Sequence, residues 1–207
     1  IIGNSEYEDY PLQTKIISAL KFSGKTNSGL SVGILDAITA KENAKYRDST
    51  NTETFQAVEP FANSLVLRLK QDLKDGKIIF GGFLTNKQQV LNTNYLRSSF
   101  VSKANVMGVD FEYALPDPAW VVSGYTATST LLGTEKIVSD IQRNSAHYFQ
   151  RPDDKIALDT TKTQLDGTSS ELSLTKISGK NIKGSFTYRK ISPGYDINEL
   201  GYIRSAN

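Results

Sequence analysis

The sequence predicts an all-β fold, an antiparallel transmembrane β-barrel of which this chain is a segment of roughly eight strands. Two observations support this prediction. Apolar and polar residues largely alternate in eight stretches, which is the pattern of strands whose two faces meet different environments. Short turn-like breaks also alternate with much longer polar stretches along the chain. Antiparallel hairpins with tight turns at one end and long loops at the other are typical of outer-membrane barrels.

Four hairpins are predicted, each around a short break that contains glycine, proline or asparagine. In the second hairpin, Leu67 and Leu69 alternate with Arg68 and Lys70, so one face is apolar and the other is charged. The strands are about nine to eleven residues long, which is the length that a tilted strand needs to cross a bilayer. In chain order the hairpins are 15–23 with 30–34, 64–72 with 78–84, 107–113 with 120–126, and 168–176 with 183–190. Their breaks lie at 25–29, 74–77, 115–119 and 178–181.

The long polar stretches are predicted to be loops at the other end of the hairpins. They lie at 41–60, 86–103, 131–157 and 192–207. Within the third, Ile137, Val138 and Ile141 recur at helical spacing, which predicts a short helix with a packing role. The chain begins at Ile1 without a signal peptide, which an exported protein needs, so either it was removed or these residues are an internal piece of a longer protein. The whole of 1–207 is predicted to be one outer-membrane barrel segment.

The polar positions of the strands are predicted to face the lumen of the barrel. A soluble β-sandwich also alternates with a period of two and stays open as an alternative. Aromatic residues near strand ends favour the barrel, because a membrane-interface girdle uses amphipathic rings. The predicted lumen-facing residues are Arg68, Lys70, Asp72, Asp110, Glu112 and Glu171. The predicted girdle residues are Phe22, Phe61, Phe111, Tyr113, Trp120 and Tyr188.

The composition argues against several classes of protein. The 24 Lys+Arg and 22 Asp+Glu residues give a net charge of +2, which is too balanced for a nucleic-acid-binding surface. The chain has no cysteine, so a disulfide scaffold and a thiol nucleophile are both excluded. No apolar run approaches the ~20 residues of a membrane helix, so any membrane span must be a strand. The predicted location is the bacterial outer membrane, with its lipid as a partner.

Several spaced motifs occur in one order along the chain. They are Val58-Glu59-Pro60-Phe61-Ala62-Asn63, Leu67-Arg68-Leu69-Lys70-Gln71-Asp72, Gly81-Gly82-Phe83-Leu84-Thr85, His147-Tyr148-Phe149-Gln150-Arg151-Pro152-Asp153, and Ser192-Pro193-Gly194-Tyr195 followed by Asn198-Glu199-Leu200-Gly201-Tyr202. Together they resemble an uncharacterised outer-membrane barrel domain of Gram-negative bacteria, usually found behind an N-terminal module similar to family-9 carbohydrate-binding domains. The resemblance covers nearly the whole chain. It implies a middle stretch of a longer barrel and transfers no catalytic residue.

Candidate binding residues lie in two aromatic-rich stretches, 147–153 and 192–202. Rings flanked by hydrogen-bonding side chains suit stacking on a sugar or docking a partner protein. The alternative is a girdle or loop-packing role. His147, the only histidine, could contact a surface ligand, bind a cation with Asp153 and Asp154, or pack within a structural loop. The predicted ligand- or partner-binding residues are His147, Tyr148, Phe149, Arg151, Asp153, Tyr195, Asp196 and Tyr202.

No catalytic residue, metal site or cofactor is predicted. A single histidine cannot form a multi-histidine metal site, and no Gly-x-Ser-x-Gly motif is present. The predicted function is therefore a non-enzymatic outer-membrane barrel whose surface loops bind or admit a ligand, such as a glycan, or dock envelope proteins. One alternative is a cell-surface hydrolase of glycans that uses loop carboxylates as acid and base. The other is a structural subunit of a larger outer-membrane complex.

Overall fold

A computed structural model describes residues 5–48, 52–116, 119–147, 149, 156–179 and 182–201. Within these ranges the chain forms eleven strands and two short helices. None of the described helices is long and apolar enough to cross a membrane. The strands are β1 (Ser5–Asp9), β2 (Ile16–Lys25), β3 (Leu30–Thr39), β4 (Glu42–Asp48), β5 (Glu53–Glu59), β6 (Phe61–Leu73), β7 (Ile78–Val90), β8 (Lys103–Ala114), β9 (Trp120–Leu132), β10 (Gln164–Lys176) and β11 (Gly184–Ile191). The helices are α1 (Asn94–Ser99) and α2 (Glu135–Arg143).

Eight of these strands form one antiparallel sheet in the order β2-β3-β6-β7-β8-β9-β10-β11. All four predicted hairpins are present, as β2–β3, β6–β7, β8–β9 and β10–β11. The predicted all-β arrangement of eight antiparallel strands is therefore confirmed. The sheet is open: among the described residues, β2 and β11 are edge strands with a sheet partner on one side only. Strands β7 and β9 continue to Val90 and Leu132, so the sheet extends into stretches that were predicted to be loops.

The backbone conformation of the turn between β6 and β7 explains why Asp75 and Gly76 occur there. Lys74, Asp75 and Gly76 have φ values of 54°, 55° and 84°, which is the left-handed region. Tight hairpin turns need this conformation, and aspartate and glycine tolerate it better than most residues. The Asp72 carboxylate accepts a hydrogen bond from the Gly76 amide at 2.7 Å. The Asp72 side chain, at the end of β6, therefore closes the turn.

The long stretches contain more secondary structure than a loop prediction implies. Strands β4 and β5 occupy much of 41–60 and form a separate three-stranded sheet with β1, in which β4 is the central strand. This sheet buries Ala44 and Ala57. Their side chains are small, so the apolar pattern of these strands is weak in the sequence. Helix α1 lies in 86–103. Helix α2 lies in 131–157 and buries Ile137 and Val138, which confirms the predicted short helix.

One face of the eight-stranded sheet is apolar and largely exposed. Cross-strand partners point to the same side of a sheet, so the pairing of Leu67 with Ile34 and Leu84, and of Leu84 with Met107, places all four on one face. The exposed fractions of Met107 and Phe186 are 56% and 74%. All six predicted girdle residues share this side. The apolar face comprises Leu20, Phe22, Ile34, Phe61, Leu65, Leu67, Leu69, Phe80, Leu84, Met107, Val109, Phe111, Tyr113, Trp120, Leu172, Leu174, Phe186 and Tyr188.

The opposite, polar face contains every residue that was predicted to face a lumen. These residues are Arg68, Lys70, Asp72, Asp110, Glu112 and Glu171. The Arg68 guanidinium donates two hydrogen bonds to the Asp110 carboxylate on β8, reaching across β7. Gly81 of β7 lies between them, and a Cβ atom there would be 3.0 Å from the guanidinium nitrogens. The glycine therefore makes room for the Arg68 guanidinium on this face.

Candidate functional site

Two loop segments fold over the polar face at the end where the long loops lie. We call them together the cap; they are 134–147 with Phe149, and 192–201. Beneath the cap the polar face is buried at alternate residues of β8, β9 and β10, for example at Val106, Ala127 and Ser169. Nearer the short turns the same face is more open, for example at Glu112 and Ser173. The cap therefore divides the polar face into a covered half and an open half.

The first cap segment is fixed by apolar contacts. Helix α2 begins after Thr134, whose hydroxyl accepts a hydrogen bond from the Ile137 amide at 3.4 Å. Ile137, Val138 and Phe149 then belong to one buried cluster with sheet and loop residues. Removing such side chains from water is the main favourable contribution to folding, and here it attaches the helix to the sheet. The sheet and loop members of the cluster are Val101, Ala104, Leu131 and Leu165.

The second cap segment approaches the sheet backbone closely. Tyr195 packs on Val106 and Ala127, and burial raises the pKa of the Tyr195 hydroxyl, with a smaller contribution from Tyr125. The approach is possible because residue 167 of β10 is glycine. A Cβ atom built on Gly167 would lie 2.0 Å from the Tyr195 amide nitrogen, far inside contact distance. The Ser192 amide also donates to the Thr168 carbonyl oxygen at 2.8 Å.

His147 joins the two cap segments to each other. Its side chain is fully buried, with Nδ1 2.7 Å from the Pro193 carbonyl oxygen and Nε2 2.7 Å from Asp196 Oδ2. A carbonyl oxygen can only accept, so Nδ1 is the donor in the first contact. When the ring holds a second proton, Nε2 donates it to the Asp196 carboxylate and both contacts are charge-assisted.

Asp196 connects the second cap segment to the sheet as well as to His147. Its amide donates to the Ser129 hydroxyl of β9 at 2.9 Å, and its Oδ1 accepts from the Asn198 amide at 2.7 Å. Burial acts to raise the pKa of the Asp196 carboxyl. The hydrogen bonds from His147 and from the Asn198 amide outweigh burial, so the pKa lies below its usual value. Asp196 is therefore held as a carboxylate between the sheet and the other cap segment.

A third polar attachment lies at the edge of the cap. The Lys87 ammonium of β7 is 2.7 Å from Glu199 Oε2, and the Gln89 amide donates to the same oxygen at 3.4 Å. The two charged side chains are about a quarter exposed, at 23% and 27%. This contact holds the end of the 192–201 segment over β7, a strand that is distant from the segment in sequence.

A cavity of about 570 Å³ opens beside the cap. Phe149 and Pro193 contribute apolar surface from the two cap segments, while Lys162 and Asp166 contribute charged groups from the chain that enters β10. A cavity with convergent polar groups on apolar walls is the usual form of a small-molecule site. We call it the loop cavity. Its full lining is Phe149, Ile156, Thr161, Lys162, Thr163, Gln164, Leu165, Asp166, Ser192, Pro193 and Gly194.

The structure brings four of the predicted binding residues together and buries them. His147, Phe149, Tyr195 and Asp196 are buried, with exposed fractions of 2%, 8%, 7% and 5%, and their role in binding a ligand or partner stays a prediction. The physical reason is that the loops fold inward and use these rings to cover the sheet. Of these four, only Phe149 also lines the loop cavity. The remaining predicted residues, Tyr148, Arg151, Asp153 and Tyr202, lie outside the described residues, as does Asp154.

Sequence reasoning missed the partners of these residues. Ser129, Glu199 and Pro193 contact groups that are 46 to 112 residues away in the chain, and no local pattern indicates such pairs. One signal was available: Gly167 interrupts an alternating strand, which often marks a close backbone approach. Within the part of the chain that the structure describes, no group of three or more His, Asp or Glu side chains is arranged to hold a metal ion.

The comparisons with known proteins give one match. A family model described as Domain of unknown function (DUF5916) matches residues 2–207. No curated protein and no solved structure matches the chain. The match covers nearly the whole chain and describes no activity, so the arguments on function rest on the geometry above.

Proposed function

Because the chain belongs to the DUF5916 family of domains of unknown function, we propose its function from its own geometry. It is part of a non-enzymatic β-barrel of the bacterial outer membrane, and its long loops bind or admit a ligand or dock envelope proteins. The observation that supports this most directly is the exposed apolar face, which extends over all eight strands of the sheet. Exposed apolar surface of this extent marks a contact with membrane or protein.

The distribution of charge favours lipid as that contact. Lipid-facing strands of a barrel are apolar outside and polar inside, and flanking aromatic rings lie at the membrane interfaces. Trp120 and Tyr113 lie on the apolar face next to the short turns, and Phe61 lies on it near the long loops. The Lys176 ammonium is 5.5 Å from the centre of the Trp120 ring, where it can extend towards lipid headgroups.

The two sheet edges support a larger ring of strands. In the described chain every residue of β2 is exposed, and so are Phe186 and Tyr188 of β11. Long unpaired edges are unfavourable, and barrels remove them by closure. In this meander the eight strands alternate in direction, so β2 and β11 run in opposite directions. Closing the ring with antiparallel pairs alone then requires an even number of further strands, or none.

The ion pairs favour a binding or admitting role over hydrolysis. A glycosidase needs one protonated and one free carboxyl group close together. Asp110 accepts two hydrogen bonds from Arg68, and Glu171 accepts from Arg189 Nε at 2.6 Å, so each of these carboxylates is paired with an arginine. The loop cavity, with hydroxyl, amide and apolar groups, fits a polyhydroxylated ligand such as a glycan.

Cysteine labelling in whole cells tests the location and the orientation. We expect Tyr95→Cys, in α1 among the long loops, to react with a membrane-impermeant maleimide. Asp75→Cys, in the β6–β7 turn, should react only after the outer membrane is broken, because short turns face the periplasm. Equal labelling of both sites in intact cells, with the protein recovered outside the membrane fraction, would contradict the proposal. Labelling of Asp75→Cys alone would reverse the orientation.

A further inference from the structure

The half of the polar face that the cap covers and the half that it leaves open differ in their side chains. The open half holds the Arg68–Asp110 and Arg189–Glu171 ion pairs. The covered half holds small apolar residues, such as Ala104 and Ala127, on which the cap packs. The chain itself therefore covers one end of its polar surface, while no segment that the structure describes covers the charged end.

We propose that the cap is a plug that separates the two ends of this polar surface, and that His147 is the positioning residue that keeps it closed. This inference goes beyond the proposed function, because it concerns access to the polar face whatever ligand the loops bind.

The position of His147 supports this role. It belongs to the first cap segment, and both its partners, Pro193 and Asp196, belong to the second. It makes no hydrogen bond to the sheet through its ring, so its ring contacts hold the two segments to each other. The second segment reaches the sheet through the Asp196 amide and Ser129, directly beside this contact. Loss of the imidazole would leave the buried Asp196 carboxylate without its His147 partner.

Among the described residues, the second cap segment covers the sheet with few apolar side chains. The second segment contributes Tyr195 and the partly buried Ile197 to the apolar cluster beneath it. The other members of that cluster belong to the strands, including the end of β11. A segment attached by few apolar contacts opens at low free-energy cost. The His147 contacts make the two segments open together or not at all, which protects the surface beneath more than either segment would alone.

Thiol accessibility tests the proposal, because the chain has no cysteine of its own. The full-length protein is used, with any cysteine outside this chain replaced by serine. The probe position is Ala127→Cys, 2% exposed beneath Tyr195, and the reagent is a charged maleimide. The matched control is Ser123→Cys, four residues earlier on the same face of β9 and outside the cap. Both are compared with and without His147→Ala.

We expect His147→Ala to raise the reaction rate at position 127 by about tenfold or more, since each ~1.4 kcal/mol changes the open population tenfold. The rate at position 123 should stay the same. A protected thiol at position 127 in folded His147→Ala protein would overturn the proposal. A parallel rise at both positions would also overturn it, because the strands rather than the cap would then be loosened. His147→Leu, which keeps volume but not hydrogen bonds, repeats the test if the alanine variant does not accumulate.

Discussion

Strand β8 exposes its large apolar side chains and buries its small ones. On the apolar face, Met107 and Phe111 are 56% and 43% exposed, whereas Ala104 and Val106 on the polar face are 6% and 7% exposed. In water the opposite arrangement is favourable, because burial stabilises by about 25 cal/mol per Å² of apolar surface. The sheet is therefore not arranged around a core of its largest side chains. Its apolar face leaves large side chains exposed, and among the described residues its polar face is covered only where the cap lies.

The most severe test of this comparison places a charge on each face of β8. In lipid, Met107→Arg should destabilise the protein by ~2–4 kcal/mol if the residue lies near the middle of the bilayer. In water, the same change at an exposed position should cost less than about 0.5 kcal/mol. We expect loss of the folded, heat-modifiable form from the outer-membrane fraction on gels.

Glu112→Arg is the matched control, since it introduces the same side chain at an exposed position on the polar face of the same strand. It should accumulate at close to the wild-type level. If Met107→Arg accumulates as well as Glu112→Arg does, the apolar face does not contact lipid.

Local patterns were enough to predict the sheet. A period of two in the apolar residues, together with Asp75-Gly76 and similar turn sequences, specifies hairpins, because a register shift by one residue would move Leu67 and Leu69 to the charged face. The position of α2 followed from the spacing of Ile137, Val138 and Ile141. These features depend on neighbours in the chain, which a sequence displays directly.

The cap could not be predicted in the same way. Tyr195 and Phe149 are aromatic residues in polar stretches, and such residues either project outward to a ligand or fold inward to cover a surface. Whether the loop folds inward depends on Gly167 and Ala127. These two small residues lie on strands that are distant from the loop in sequence, and they leave room for it. Likewise, the partner of His147 lies 49 residues away, and only the folded chain identifies it as Asp196.

A second prediction tests whether this close approach fixes the cap. Gly167→Ala should displace the 192–196 segment, because the new Cβ would lie 2.0 Å from the Tyr195 amide nitrogen and 2.2 Å from its Cα. Overpacking of this kind typically costs 1–3 kcal/mol, roughly, and a denaturant titration of the full-length protein in detergent should show a lower midpoint. Gly184→Ala on β11 is the control, since nothing lies within 4 Å of its added Cβ. Equal midpoints for the two variants would mean that the loop is not held against β10.

The smallest expected effect is a dependence of the cap on acid. Hydrogen bonds from His147 and Asn198 hold the pKa of Asp196 below its unfolded value of about 3.9, despite burial. A group whose folded pKa is depressed contributes stability that is fully present above the unfolded pKa, and this contribution is lost as the pH falls through the folded pKa. Protection of a thiol at position 127 should therefore weaken as the pH falls below about 4. Asp196→Asn should remove this acid step, since its amide oxygen still accepts from the Asn198 amide and its NH₂ group can donate to a neutral His147 ring. An acid step of the same size in the Asp196→Asn variant would show that a different carboxyl group is responsible.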